Sequence, residues 1–375
     1  MSSKIKDILM WDESLFRNPE VFDLSYIPEV FKFRDNELEA ISHNVKPLIK
    51  GDLPTNTIIL GPTGTGKTTS VKLLFKDIAE VSNEVIPVYI NCQFHYREFS
   101  IMSQIFKAIF GYPPVETGKP LTTLYEYTMG ELQKKDKRLI VALDDVDFLF
   151  HVNVAENILY KILRAHEIFP GVKTGIIGIV TDNAFTFKVS EKIRTVFMPN
   201  EVHFKPYSQS TITDILRYRC DVGLFPGVMD DEVLERISEI TFDKGDLRLG
   251  IRGIKEAGML AELDARRKIT IDDIEKAIAR ISSSLHVENV FESLSKTDKK
   301  VLKVIAENSG KLTKANDFFN ILSNEMSYEL FRKSASKLEN LKIIDIQRAQ
   351  SRGRGKQNLI HLRVPNEVIL KIIKE

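Results

Sequence analysis

Cysteine is almost missing from this chain. Cys92 and Cys220 are the only two in 375 residues, and neither stands in a Cys-x-x-Cys pair. A disulfide framework and a cysteine zinc site are both excluded, and a reducing cytoplasm is the expected home. The chain also lacks any run near the roughly 20 apolar residues that a membrane-spanning helix needs. Its first residues, MSSKIKDILMWDESLF, carry acids early and no long apolar stretch, so they do not read as a secretory signal. Trp11, the single tryptophan, reads as an anchoring aromatic. Repeats and low-complexity tracts are absent, which sets aside solenoids. Histidines are few, and His95, His151 and His361 are too scattered for metal-ligand spacing.

An excess of one charge is missing too, but only in the sum. The 53 Lys and Arg nearly cancel the 52 Asp and Glu. From Lys296 to the end there are 17 basic and 9 acidic residues, a balance of +8, which leaves −7 on the rest. A basic block following an acidic body points to a polyanion as partner for that end.

The hydrophobic pattern falls into three blocks. Between about 53 and 206, short apolar runs alternate with helical patterns: Thr57-Ile-Ile-Leu60, Val85-Ile-Pro-Val-Tyr-Ile90, Leu139-Ile-Val-Ala-Leu143 and Thr174-Gly-Ile-Ile-Gly-Ile-Val180. Runs apolar on both faces belong in a covered parallel sheet, hence an α/β domain over 1–206. From 207 to 288 the spacing is helical throughout, with Thr270 as a helix cap followed by acids. From 289 to 375 three helices, near 296–308, 314–323 and 327–341, precede two strand-like runs, Ile343-Ile-Asp-Ile-Gln347 and Asn358-Leu-Ile-His-Leu-Arg-Val364. Three helices and a hairpin is the winged-helix order.

Gly61-Pro62-Thr63-Gly64-Thr65-Gly66-Lys67-Thr68 matches G-x-x-x-x-G-K-[ST] in full, after a strand and before a helix that opens with Thr69. The glycines let backbone N–H groups face phosphate oxygens, and the helix adds its positive end. The motif predicts ATP or ADP with Mg²⁺. Lys67 is expected on the β- and γ-phosphates and Thr68 on the metal. The strand ending Asp144-Asp145 supplies a carboxylate, Asp144, to hold the metal directly or through its waters, and an acid to orient or deprotonate water, Asp145.

With these motifs the chain resembles the archaeal origin-recognition and cell-division-cycle initiator proteins, AAA+ ATPases that mark replication origins. The resemblance covers nearly the whole length. It is carried by Tyr26-Ile-Pro-Glu-Val-Phe-Lys-Phe-Arg34-Asp-Asn-Glu37, by Asp144-Asp145-Val-Asp-Phe-Leu, by Phe204-Lys-Pro-Tyr207 with Ile215, Leu216 and Arg219, and by Gly245-Asp246-Leu247-Arg248. It implies an AAA+ core, a helical lid and a winged helix. It places Arg34, Tyr207 and Arg219 in the nucleotide site, with Arg248 on the γ-phosphate. A DNA-touching insertion is implied at about 94–123, including Tyr96, Arg97 and Lys119. Implied partners are double-stranded origin DNA, paralogous initiator subunits and the replicative helicase.

Three positions depart from the family pattern. Asp145 stands where the family has Glu. Thr181 stands at the sensor-1 asparagine, beside Asp182 and Asn183. Lys192 stands at the trans-acting arginine, with Arg194 two residues on, and lysine lacks arginine's bidentate fork. A weak, switch-like ATPase follows. The competing readings are a ring-forming branch-migration motor, against which Lys192 argues, and a nucleotide-switched transcription regulator.

At the basic end, Leu330, Phe331, Ala335, Leu338 and Leu341 share one helical face. Arg332, Lys333 and Ser336 lie opposite, with Tyr328 and Lys337 on the flanks. That polar face is expected in a major groove. Arg348, Arg352, Arg354 and Lys356 are expected on the wing joining the strands, suited to phosphates or a minor groove.

Overall fold

The computed structural model describes residues 14–28, 31–115, 120–181, 195–309, 312–341, 343–350, 356–364 and 366–374. They fall into two compact units, 1–255 and 256–375.

Unit 1 is built on five strands: β1 (Thr57–Leu60), β2 (Val85–Asn91), β3 (Arg138–Asp144), β4 (Thr174–Val180) and β5 (Asn200–His203). They lie in the order β2-β3-β4-β1-β5, every neighbour parallel. The four apolar runs supply β1 to β4. The sequence gives little sign of β5, Asn-Glu-Val-His, because an edge strand needs few apolar residues and only Val202 is buried. Helices α1 (Asp35–Lys50), α2 (Lys67–Val81), α3 (Glu98–Phe110), α4 (Leu121–Lys134), α5 (Val146–His151), α6 (Ala155–Leu163) and the single turn α7 (Ala165–Ile168) cover the sheet.

Successive side chains of a strand point to opposite faces. Leu139, Val141 and Leu143 of β3 accordingly join a core with Ile101, Met102 and Ile105 of α3 and Ile158 of α6. Ile140 and Ala142 join a second core with Ile41 and Val45 of α1 and Val71 and Leu74 of α2. The stretch anticipated as a surface insertion therefore contains a core helix, α3. Its outer parts, Phe94, Tyr96 and Tyr112, remain exposed, and Lys119 lies outside the described residues.

Unit 1 continues through α8 (Gln209–Gly223), capped by the Ser208 hydroxyl, which accepts from the Thr211 N–H at 3.2 Å. α9 (Asp231–Lys244) follows, and the division into units falls within α10 (Leu247–Leu263). The first described residues bind back onto α8. The N–H groups of Arg17 and Asn18 both donate to the Gly223 carbonyl, at 2.9 and 3.1 Å.

Unit 2 holds α11 (Ile271–Ser293), α12 (Lys296–Glu307), α13 (Ala315–Leu322), α14 (Tyr328–Asn340), β6 (Ile344–Gln350), β7 (Lys356–Leu362) and α15 (Asn366–Lys374). Thr270 and Ser295 each begin a helix with a reciprocal capping box, completed by Asp273 and Asp298. β6 and β7 pair antiparallel from Ile344↔Leu362 to Gln350↔Lys356, and Lys314 bridges Leu359. The core joins Val301, Leu302, Phe318, Phe331, Leu338, Ile344, Ile360 and Ile369. The closing helix α15, which brings Ile369, was not foreseen.

Candidate nucleotide site and nucleic-acid interface

In a parallel sheet of this order, the loops after β1 and β3 flank β4 at the carboxyl edge, where such sheets bind ligands. A cavity of about 760 Å³ opens there, within the size range of small-molecule sites. Its lining includes the polar side chains of Lys67, Thr68, Asp144, Asp145 and Arg248 and the aromatic or apolar ones of Tyr26, Ile27, Phe31, Ile215 and Ile251.

Two glycines of the cradle have no substitute. Gly64 has φ +73° and Gly66 φ +90°; an added Cβ would lie 2.3 Å from Asp246 Oδ1 in the first case and 2.8 Å from the Tyr207 hydroxyl in the second. Lys67 opens α2 and is buried. Its ammonium donates to the Gly61 and Pro62 carbonyls at 2.6 and 2.7 Å. Burial pushes its pKa down against the pull of Asp144 and Asp145. Thr63, Gly64, Thr65, Gly66, Thr68 and Thr69 line the cavity.

The acids sit where β3 ends. The Thr68 hydroxyl donates to Asp144 Oδ2 at 2.8 Å, and the Tyr89 hydroxyl donates to the same oxygen at 2.6 Å. Asp145 caps α5 in a left-handed backbone conformation, φ 55°, unusual for a residue with a Cβ. Gln93 Nε2 donates to Asp145 Oδ2 at 3.0 Å. Burial, with Asp144 and Asp147 close by, raises the Asp145 carboxyl to about 6. Nearby, Asp147 Oδ1 is buried without a hydrogen-bond partner among the described residues. The donor set of hydroxyl and carboxylate oxygens suits a hard cation such as Mg²⁺, and the cradle suits a phosphate chain.

Several expected residues lie elsewhere. Arg34 is buried behind the loop, not in the cavity: Nε donates to the Thr65 carbonyl at 3.0 Å, one terminal nitrogen to the Lys205 carbonyl at 2.6 Å, and the other pairs with Glu37 at 2.6 Å. Its guanidinium lies 4.0 Å from the Tyr207 ring centre. With its donors so engaged it braces the cradle from behind. Gly61 and Pro62 likewise form the turn beneath Lys67 and do not line the cavity. Arg219 does line it, but donates to the Val21 carbonyl and lies 4.8 Å over the Tyr26 ring. Arg248 reaches the cavity paired with Asp246 at 2.7 Å. Tyr207 and Thr181 also line it; Asp182, Asn183, Lys192 and Arg194 lie outside the described residues.

Sequence reading missed Tyr89, Asn91 and Gln93. Their signal was the two-residue period of a strand whose end is in register with Asp144, Asn91 standing opposite it.

In unit 2, α14 buries Phe331, Ser334, Ala335 and Leu338. Leu330 is exposed, since it lies ~90° around the helix from the centre of that face at 3.6 residues per turn. Arg332, Lys333 and Ser336 are exposed as expected; Lys333 is 3.6 Å from Glu329. Lys337 is exposed as well, but its ammonium donates to the buried Asp298 at 2.7 Å. Arg348 and Lys356 stand within the strands, paired with Asn358 and Gln350, and not in the joining loop. The backbone ladder runs further than the apolar pattern, because ladder bonds do not depend on side-chain type. Arg352 and Arg354 lie outside the described residues.

A phosphate cradle and tandem acids on a five-stranded parallel sheet, followed by lid helices, define a P-loop ATPase of the AAA+ class. Residues 52–181 match the AAA domain family and residues 213–279 the Cdc6 AAA+ ATPase-type lid domain. The chain is 37% identical to ORC1-type DNA replication protein 2 of Methanothermobacter thermautotrophicus, covering 97% of this chain and 96% of that one. It is 36% identical to ORC1-type DNA replication protein 3 of Haloarcula marismortui, covering 97% of each. The chain belongs to the archaeal ORC1-type/Cdc6 DNA replication proteins. Among solved structures it is similar to the Aeropyrum pernix ORC1 protein in complex with DNA, with TM-score 0.73, 24% identity and 97% of both chains covered. It is also similar to the Aeropyrum pernix ORC2 protein in its ADPNP–ADP complexes, with TM-score 0.66, 26% identity and coverage of 96% and 99%.

Proposed function

We propose that this chain is a replication initiator that binds ATP–Mg²⁺ in unit 1, binds origin duplex DNA through the 289–375 winged helix, and helps recruit the replicative helicase, with slow hydrolysis as its switch. The observation that carries the nucleotide reading is the meeting of Lys67, Thr68 and Asp144 at the carboxyl edge of the sheet, in a cavity that aromatic and apolar side chains also line. Lys67 rests on two neutral carbonyls, which a phosphate outcompetes because charge-assisted bonds are stronger. Thr68 and Asp144 would hold Mg²⁺, which supplies neutralisation of the phosphate charge. Arg248 stands ready at the same end, screened by Asp246. Asp145, held by Gln93, accepts a proton from water. Its carboxylate stands one methylene short of the family's glutamate, and misplacement by about an ångström can cost ~10²-fold in rate. That supports slow turnover.

The DNA reading rests on the exposed Arg332, Lys333 and Ser336 of α14, on the basic C-terminal block, and on the Aeropyrum relative solved with DNA. Both readings are tested by equilibrium binding of ATP and of origin duplex to the full chain. Lys67→Ala should lower ATP affinity by at least about tenfold, as loss of a buried charge-assisted contact implies, and should remove any effect of ATP on duplex affinity. Unchanged ATP affinity would overturn the site assignment.

A further inference from the structure

We propose that Tyr89 is a positioning residue whose hydroxyl fixes which oxygen of Asp144 is offered to the magnesium ion that accompanies the nucleotide. The proposal rests on the nucleotide reading above. Both side-chain donors to Asp144 among the described residues meet the same oxygen, Oδ2: Thr68 at 2.8 Å and Tyr89 at 2.6 Å. These two donors differ in freedom. Thr68 can leave Asp144 for another partner by one χ1 rotation. Tyr89 is more constrained, because neighbours pack against its ring and surround its hydroxyl.

Three contacts hold it. The Asn91 side chain lies beside the Tyr89 hydroxyl. Asn91 is itself oriented, since its amide oxygen accepts the N–H groups of Gln93 and Phe94 at 3.0 and 3.3 Å. The ammonium of Lys72, one turn of α2 beyond Thr68, lies 4.7 Å from the Tyr89 ring centre. Tyr89 stands opposite Ala142, two places before the Asn91–Asp144 pair. A long side chain is therefore required to reach the carboxylate from that register; serine or threonine would fall short, and phenylalanine would arrive without a donor. Metal-holding carboxylates are commonly oriented by such outer partners, and removing one typically costs ~10–100-fold in metal affinity.

The test measures binding of a non-hydrolysable ATP analogue to the full chain by calorimetry, once in Mg²⁺ and once in EDTA. Tyr89→Phe should reduce the Mg²⁺-dependent gain in affinity by on the order of tenfold. Its affinity in EDTA should stay within about twofold of wild type, since the cradle is untouched. An equal Mg²⁺ gain in both proteins overturns the proposal, and so does a loss of the same size in Mg²⁺ and EDTA, which marks a structural role only. If Tyr89→Phe does not fold, Asn91→Ala keeps ring and hydroxyl but frees their orientation; it should show a smaller loss confined to Mg²⁺, and no such loss counts against the proposal. Wild-type protein that binds the analogue in neither buffer would overturn the nucleotide reading itself, whereas binding with an unaltered Mg²⁺ gain in the variant removes only Tyr89.

Discussion

At the scale of single residues, Asp145 concentrates the chemistry of the site. Its carboxyl is held at about 6 by burial and by Asp144 and Asp147, against about 4 in an unfolded chain. Between those values the folded protein retains a proton that the unfolded chain has released. Stability from this group is therefore full at low pH and is lost as pH rises from about 4 to about 6. Asp145→Asn, which cannot ionise, should raise the thermal midpoint above wild type at pH 7.5 and leave it nearly unchanged at pH 4. A midpoint lowered at pH 7.5 would contradict the repulsion. In hydrolysis the same carboxylate must be ionised, so kcat/KM should fall about tenfold per pH unit below about 6. The residue scale is also where sequence reading did best and worst. Gly61 to Thr68 were legible because a phosphate cradle is written in consecutive positions. Arg34, which does not line the cavity, and Arg219, which does, are both tied to backbone carbonyls, those of Thr65, Lys205 and Val21, and such acceptors have no side-chain signature.

At the scale of elements, the pairing of α12 with α14 turns on Asp298. Burial pushes this carboxyl up, but bonds from Lys337, Ser334 and Ser295 prevail and hold it near 2. Its folded value is thus depressed, and its contribution is complete above about 4 and lost as pH falls toward about 2. Asp298→Ala removes a capping box and the acceptor of Lys337 together. We expect a loss of roughly 2–3 kcal/mol, summing a cap and a charged hydrogen bond, seen in urea melts of the full chain at pH 7 and shrinking at pH 2.5. A loss under about 0.5 kcal/mol, typical of neutral surface changes, would show the tie to be idle. Helices α12 to α14 were readable from their 3.6-residue period. The Lys337–Asp298 tie was not, because its partners are 39 positions apart. Strand β5 escaped for a related reason: one buried valine at a sheet edge leaves no alternation to read.

At the scale of the whole molecule, the charge is divided along the chain, with +8 on the last 80 residues and −7 before them. A polyanion held by that block should release counterions and lose affinity steeply with salt. Arg332, exposed on α14, should lower the slope of log affinity against log salt by about 1 when replaced by alanine. Lys337→Ala should leave the slope within error of wild type, since that ammonium already has a carboxylate. Equal changes in the two variants, measured from 50 to 200 mM salt, would reverse the assignment.

The segment 14–28 has a consequence of the same reach. Its backbone hangs on Gly223, its Arg17 reaches the carbonyls of Asp221 and Val222, its Val21 carbonyl takes Arg219, and its Asp23 pairs with Lys255. Tyr26, Ile27 and Pro28 then form part of the cavity wall. A fragment trimmed to the limits of the two matched families, 52–279, would keep every phosphate motif and forfeit that wall. Such a fragment would keep Lys67, Thr68 and Asp144 but would leave the cavity open where Tyr26, Ile27 and Pro28 now close it.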